Sequence, residues 1–306
     1  MLAGIRKGIL SAVALVLLLA TLAAMILMVV RVPQWQSWIA SIHDPKDRVS
    51  VENEVLKNVF QVLGGAFFVL GVYFTWRNYR LAQEGQITQR FNDAIEHLGS
   101  DKPEIRLGGI YALARIARDS PKDHMSVMHV FSSYVREMTR RSPVEPVSTE
   151  VQAILTMIAR RSVEHESEDD VIDLRDAFLP GVNLHRAQLE RVNFEGANLS
   201  RANLQQGLLC GAILRGAVLE DAYLRSADLR RADLKGADLR QSHLRGALLH
   251  EADIFGAQLE GATLLNVDLS SVKNAIRSQI ALAITDETTT LPIYDELTWR
   301  ARAEDV

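Results

Sequence analysis

Apolar and polar positions follow three different rhythms along this chain of 306 residues. The first is an unbroken apolar run of 22 residues, Ile9 to Val30, relieved only by Ser11 and Thr21. At 1.5 Å per residue it makes a helix of about 33 Å, against a hydrocarbon core of roughly 30 Å. The pattern therefore predicts a transmembrane helix. The run exceeds the apolar stretch of a secretory signal and ends Met28-Val29-Val30-Arg31 with no small-x-small cleavage site, which favours an uncleaved anchor. A second uncharged run, Asn58 to Trp76, predicts a second span. Trp35 and Trp38 follow the first run, and Tyr73 and Trp76 close the second, where amphipathic aromatics settle at an interface. Gly64-Gly65 inside the second run suits a helix contact within the membrane. Residues 1–76 are thus expected to form a two-span hairpin with a short loop at 31–57.

From 77 to 170 the apolar spacing becomes helical and predicts a small α-helical adaptor of four helices. One continues from Arg77 to His97. In the next, Ile105, Gly108, Gly109, Ala112, Leu113, Ile116 and Ala117 fall on one face, with Pro103 in the first turn. Ser120-Pro121-Lys122-Asp123 reads as a capped start with Ser120 as N-cap, and Met125, Met128, Phe131, Val135 and Met138 continue that helix. After Ser142-Pro143-Val144-Glu145-Pro146, Val151, Ile154, Leu155 and Ile158 mark the last. The acidic run Glu164 to Asp170, behind Arg160-Arg161, reads as a solvated linker.

The third rhythm has a period of five. From Leu174 to Leu269 a Leu recurs at every fifth place for twenty registers, with Phe194 and Ile254 as the variants. Two places earlier stands a small or β-branched residue, alanine in fourteen of the twenty. A period of five fits neither 3.6 nor 2, so the chain must turn a corner every five residues. Four sides would close a coil with the small residue and Leu inside. Residues 171–271 would make five coils, roughly 24 Å long at about 4.8 Å each. Residues 272–306 remain as a cap and tail, with Ile276, Ile280, Leu282 and Ile284 available to cover the last core leucines. The helical segment would close the other end.

The units Ala197-Asn198-Leu199, Ala202-Asn203-Leu204, Ala227-Asp228-Leu229, Ala232-Asp233-Leu234 and Ala237-Asp238-Leu239 resemble the pentapeptide-repeat family, whose unit reads A-(D/N)-L-x-x. The resemblance implies a right-handed quadrilateral parallel β-helix. Some members of that family resemble duplex DNA in shape and charge and protect type II topoisomerases such as gyrase. That role is the alternative function here, and it needs a dominant negative surface. Residues 171 to 270 hold 13 acids against 11 bases.

Composition changes the picture little. A net charge of −4 and 24% charged residues point to no nucleic-acid or acidic partner through a global field. The single Cys210 precludes an internal disulfide and reads as a surface thiol. No nucleophile elbow, P-loop, dinucleotide fingerprint or zinc-ligand spacing occurs, and His97, His124 and His129 read as structural or exposed. No catalytic residue, cofactor, metal or small-molecule substrate is expected. Arg6 and Lys7 before the first span and Arg77, Arg80 and Arg90 after the second, against Arg31, Lys46 and Arg48 between them, predict both termini on the cytoplasmic side, and the family resemblance implies a bacterial inner membrane.

Residues twenty apart should stack on neighbouring coils, giving basic ladders at Arg225/Arg245 and Arg215/Lys235. Leu208, Ile213, Val218 and Tyr223 replace Asp or Asn at four successive outward places, an apolar belt around the third coil. These four, with Arg225 and Arg245, form the candidate surface for an unknown protein partner. The expectation is a non-enzymatic, membrane-anchored scaffold.

Overall fold

The computed structural model describes residues 34–141, 143, 145–167 and 170–292, together with 23 and 26. The predicted first span, 9–30, lies outside the described residues. The chain divides into two compact units, Met1–Thr88 and Gln89–Val306.

In the first unit, residues 34–40 are helical, and helix α1 begins at Pro45 and continues to Leu98. Most of the segment 31–57 expected between the spans is therefore helical among the described residues. Lys46, Asp47, Arg48, Glu52 and Glu54 are good helix surface residues with no breaker among them, so the helix starts well before its apolar stretch. α1 runs unbroken through the second predicted span and the predicted Arg77–His97 helix, 54 residues in all. It is the one described helix long and apolar enough to cross a membrane, by length and composition.

In the second unit, α2 (Pro103–Asp119), α3 (His124–Arg141) and α4 (Thr149–Ala159) pack on each other. Pro103 occupies the first helical turn of α2, where its missing N–H is no loss. Gly109 is where α2 meets α1: an added Cβ would lie 2.7 Å from the Ala94 carbonyl and 2.9 Å from the Leu98 amide. Gly108 and Ile105, expected on the same face, are exposed, and Ile110 takes the buried place. Ser120 ends α2 rather than starting α3. Its N–H donates to Ile116 O at 2.8 Å, and Asp123 stands before the first residue of α3. Ser148 does cap α4, its Oγ accepting from Val151 N at 3.3 Å.

From 172 the chain winds through five four-sided coils. Single-residue parallel bridges, at the place between the small residue and the Leu of a side, link positions twenty apart, Asp173 with Asn193 and onward to Asp253 with Lys273, with one break at Leu248 and Asp268. The first side comprises 172–176 and its equivalents, the second 177–181, the third 182–186 and the fourth 187–191. All twenty Leu-register residues are buried, and so are the twenty small residues. Ser242, standing where alanine usually does, is fully buried and donates its hydroxyl to Leu239 O at 2.7 Å.

Two local devices turn the corners. Asn or Asp after the small residue accepts from the amide two residues on, as Asn193 Oδ1 does from Glu195 N at 2.9 Å and Asn198 Oδ1 from Ser200 N at 3.0 Å. The residue closing each side then takes a left-handed φ of 55 to 68° at every corner from Asp176 to Asn266, eleven non-glycine and eight glycine residues. For a residue with a Cβ this costs about 1–2 kcal/mol. The inter-coil hydrogen bonds hold it there, Arg201 N to Glu220 O at 2.8 Å being one.

The C-terminal cap replaces a sixth coil. Thr263 pairs with Ile284 and Asp268 with Thr290, one and two residues beyond the twenty-residue register. The short helix α5 (Arg277–Ile280) occupies the second side. Gln279, buried, donates to Ile254 O at 2.9 Å and Ala257 O at 2.6 Å, satisfying carbonyls that have no coil above them. Of the four residues expected to cover the core, Ile280 is buried; Ile276, Leu282 and Ile284 are about half exposed. A polar amide is the better lid because the open edge of a β-helix presents carbonyls as well as leucines.

Candidate functional site

The candidate surface residues fall as the register requires, one apolar residue per side. Leu208 bridges Asp228 on the fourth side, Ile213 bridges Asp233 on the first, Val218 bridges Asp238 on the second and Tyr223 bridges His243 on the third. The belt therefore faces four directions rather than forming one plane. Leu208 and Tyr223 are exposed, while Ile213 and Val218 are half-buried.

The two predicted basic ladders differ. Arg215 pairs with Asp233 at 2.6 Å and Lys235 with Asp253 at 3.0 Å, so the first side is internally neutralised. Elsewhere Arg230 pairs with Asp228, Arg240 with Asp238, Arg231 with Glu251 and Arg201 with Glu145. The hydrogen bond from Arg230 holds the Asp228 carboxyl below its usual range, and Arg240 does the same for Asp238. Arg225 and Arg245, on the third side, are exposed and make no ion pair among the described residues. Beside them the rings of Tyr223 and His243 stack at 5.0 Å and 24°.

The side's composition, legible only once the sides are known, accounts for this. Its five segments, 182–186, 202–206, 222–226, 242–246 and 262–266, contain no Asp or Glu, three Arg and two His. The other three sides carry all 13 acids and the remaining eight bases of 171–270.

A cleft of about 280 Å³ opens on the fourth side between Leu248, His250, Asp268 and Thr290. No bridge joins Leu248 to Asp268 among the described residues, so the ladder parts there. His250 Nδ1 lies 2.6 Å from Ser271 Oγ.

A buried polar cluster joins α4 to the first coil. The Arg161 side chain, 1% exposed, donates to Glu166 Oε1 at 2.7 Å, Ile158 O at 3.3 Å, Glu190 O at 3.3 Å and Gln188 O. Glu166, 3% exposed, also lies 3.4 Å from His124 Nε2, whose Nδ1 is 3.3 Å from Ala117 O. The stretch read as a solvated linker therefore contains a buried arginine and a buried glutamate. Charge density signals solvation on average, but one Arg can satisfy the open carbonyls of a coil edge. A second pair, Arg106 with Glu150 at 2.5 Å, ties α2 to α4. Burial works to raise the Glu150 carboxyl, and the Arg106 hydrogen bond brings it below its usual range. No group of three or more His, Cys, Asp or Glu is arranged to hold a metal ion among the described residues. Cys210 is half-exposed on the fourth side.

A family model described as pentapeptide repeats matches eight copies, over residues 172–206, 208–241 and 232–270. Curated proteins gave no significant match. Among solved structures the chain is similar to HetL, a pentapeptide repeat protein involved in heterocyst differentiation regulation from the cyanobacterium Nostoc sp. strain PCC 7120. Identity is 30% over 32% of this chain and 46% of HetL, with a TM-score of 0.24. The chain thus spans about half of HetL's length. It is similar to alr5209 from Nostoc PCC 7120 at 30% identity, over 39% of this chain and 84% of that one, with a TM-score of 0.16. QnrB1, a plasmid-mediated fluoroquinolone resistance protein, matches at 16% identity over 44% of this chain and 80% of its own, with a TM-score of 0.16.

Proposed function

The chain belongs to the pentapeptide-repeat family, whose repeats imply a right-handed β-helix over its C-terminal region, and on that premise we propose that it is a non-enzymatic, membrane-anchored scaffold presenting the solenoid to a cytoplasmic protein. The observation that carries the anchor is the apolar window of α1, of mean hydropathy 1.7 and with none of it buried. Phe60, Phe67 and Phe68 are 69%, 67% and 73% exposed. An apolar surface of that extent in water marks a contact, and a bilayer covers it on every face at once. Arg80 lies over the Trp76 ring at 4.8 Å, at the end of the window where an interfacial aromatic belongs. At about 1.5 Å per residue α1 is far longer than the roughly 20 residues a bilayer takes, so it leaves polar helix at both ends. With 9–30 as the partner span, the anchor is a hairpin in the bacterial inner membrane and both termini are cytoplasmic.

The interaction role is supported by the solenoid's construction. Its interior is filled by Leu and Ala, so what it offers is its outward side chains. The DNA-mimic alternative wants negative charge, and the acid-free third side has the opposite sign.

Membrane fractionation tests the separation of parts. The full chain should stay with membranes through an alkaline carbonate wash, while residues 89–306 should be soluble and folded. Release of the full chain by the wash, or an unfolded 89–306, would overturn the reading.

A further inference from the structure

We propose that the third side of the solenoid is the docking face for an acidic, carboxylate-rich segment of a partner protein, an inference that rests on the interaction reading above. The solenoid's near-neutral total conceals a sharp partition. One side carries three Arg, two His and no acid along all five coils, while the other three together carry 13 acids and eight bases. Seven of those eight bases form ion pairs with carboxylates, and the eighth, Arg191, donates to Ser167 O at 3.3 Å. On the third side Arg186 donates to the neutral Gln206 at 2.6 Å, and Arg225 and Arg245 form no ion pair among the described residues.

Stacking Arg225 and Arg245 on neighbouring coils places like charges together at a standing electrostatic cost, which bound anions offset. Asp286 in the cap is an acid coupled to this face, through Arg245. Its carboxyl is held low first by Thr288 and only last by Arg245.

The chemistry of the face selects among anions. Tyr223 and His243 stack on one another, so each has at most one ring face left for a nucleobase, whereas single-strand nucleic-acid sites offer free aromatic faces. What the pair adds to the arginines is a hydroxyl and an imidazole N–H, donors suited to carboxylates. Lipid-headgroup attraction rests on clusters of about 4–8 Lys or Arg, more than this face has. Arg225 and Arg245 present planar forks that match a carboxylate in bidentate fashion.

The full chain in detergent micelles is titrated against a fluorescein-labelled poly-glutamate peptide by fluorescence anisotropy, with oligothymidylate and glycerophosphoserine, the soluble headgroup of phosphatidylserine, as competing probes. Poly-glutamate should bind, and should weaken as salt is raised. The double substitution Arg225→Glu/Arg245→Glu should reduce that affinity by about tenfold or more, while Arg231→Glu on the fourth side should change it by less than about twofold. Binding indifferent to the double substitution, or tighter binding of oligothymidylate or of the headgroup, overturns the proposal. A photocrosslinker at Asn203 on the third side and another at Gln258 on the second, in intact membranes, separate the two readings. Protein adducts through Asn203 that Arg225→Glu/Arg245→Glu abolishes support the docking face. Adducts through Gln258 alone overturn it and leave the interaction role standing, and none through either position overturns both.

Discussion

Replacing Arg161 with Met keeps an apolar stem about as long as the arginine's own and removes the guanidinium. The guanidinium and the Glu166 carboxylate are 1% and 3% exposed, so neither is rescued by water when the other is lost. Gln188 O and Glu190 O lose the Arg161 donor, Glu166 keeps only His124 Nε2 at 3.4 Å beside it, and Ile158 O keeps the Arg161 backbone N–H at 3.3 Å. Breaking a buried pair by removing one partner costs about 3–5 kcal/mol, because the remaining charge is left uncompensated. Arg161→Met should therefore lower stability by that amount. The double variant Arg161→Met/Glu166→Leu removes the stranded carboxylate as well and should recover part of the loss. It should stay about 1–3 kcal/mol below the parent, since Gln188 O and Glu190 O remain without their donor. Guanidinium titration of the full chain in mild detergent, followed by circular dichroism, reads the global effect. Amide exchange at Gln188, whose N–H donates to Ala159 O at 2.9 Å, reads the junction itself. If Arg161→Met is within about 0.5 kcal/mol of the parent and exchange at Gln188 is unchanged, the cluster does not couple α4 to the first coil, and the reasoning fails.

Other substitutions probe other links. Leu229→Lys should unfold the middle coils, since an unpaired ammonium enters a fully buried place at several kcal/mol and about 2 kcal/mol of Leu burial goes with it. Arg230→Ala, which takes a half-exposed guanidinium from the largely buried Asp228 carboxylate, should cost about 1–3 kcal/mol and leave the coils folded; melting curves that show the two alike would refute the inward and outward assignment. Gly109→Ala drives a Cβ into the α1 backbone and should cost about 1–3 kcal/mol. Gly108→Ala meets nothing within 4 Å and should gain about 0.5–1 kcal/mol of helix propensity, a difference in sign that thermal melts can detect. Asp228 and Asp238 titrate lower in the folded chain than in the unfolded one. Their contribution is fully present above the ordinary carboxylate pKa and is lost as pH falls through their folded values. Denaturant midpoints should hold from neutral pH down to about 5 and decline below about 4, less steeply in Arg230→Gln/Arg240→Gln.

Much of the solenoid could be read from the chain because one short rule is repeated twenty times. The five-residue period, the alanine two places before each Leu and the Asn or Asp between them are local requirements, and each recurs often enough to be unmistakable. The left-handed corner also had a local signal, eight glycines at the same fifth place, hidden by the eleven other residues that the coil ladder forces into that conformation. The helical segment was less legible. Ile105 and Ile110 are equally apolar, and which of them is buried depends on where α1 lies, which Gly109 settles by close approach.

The sequence by itself determined where each residue stands in its coil, because inward and outward are set by covalent period and hydrophobicity. The period of twenty also foretold which outward residues stack, and tertiary structure alone decided which of their charges pair. Closing the coil at twenty residues collects positions twenty apart into a side, and only then does the mixed charge of 171–270 separate into three sides of paired acids and bases and one with none. The same closure creates the open carbonyl edge that draws Arg161 and Glu166 into the interior. Charge pairing and desolvation act through space, so a residue's electrostatic role is fixed by its neighbours across coils rather than by its neighbours in the chain.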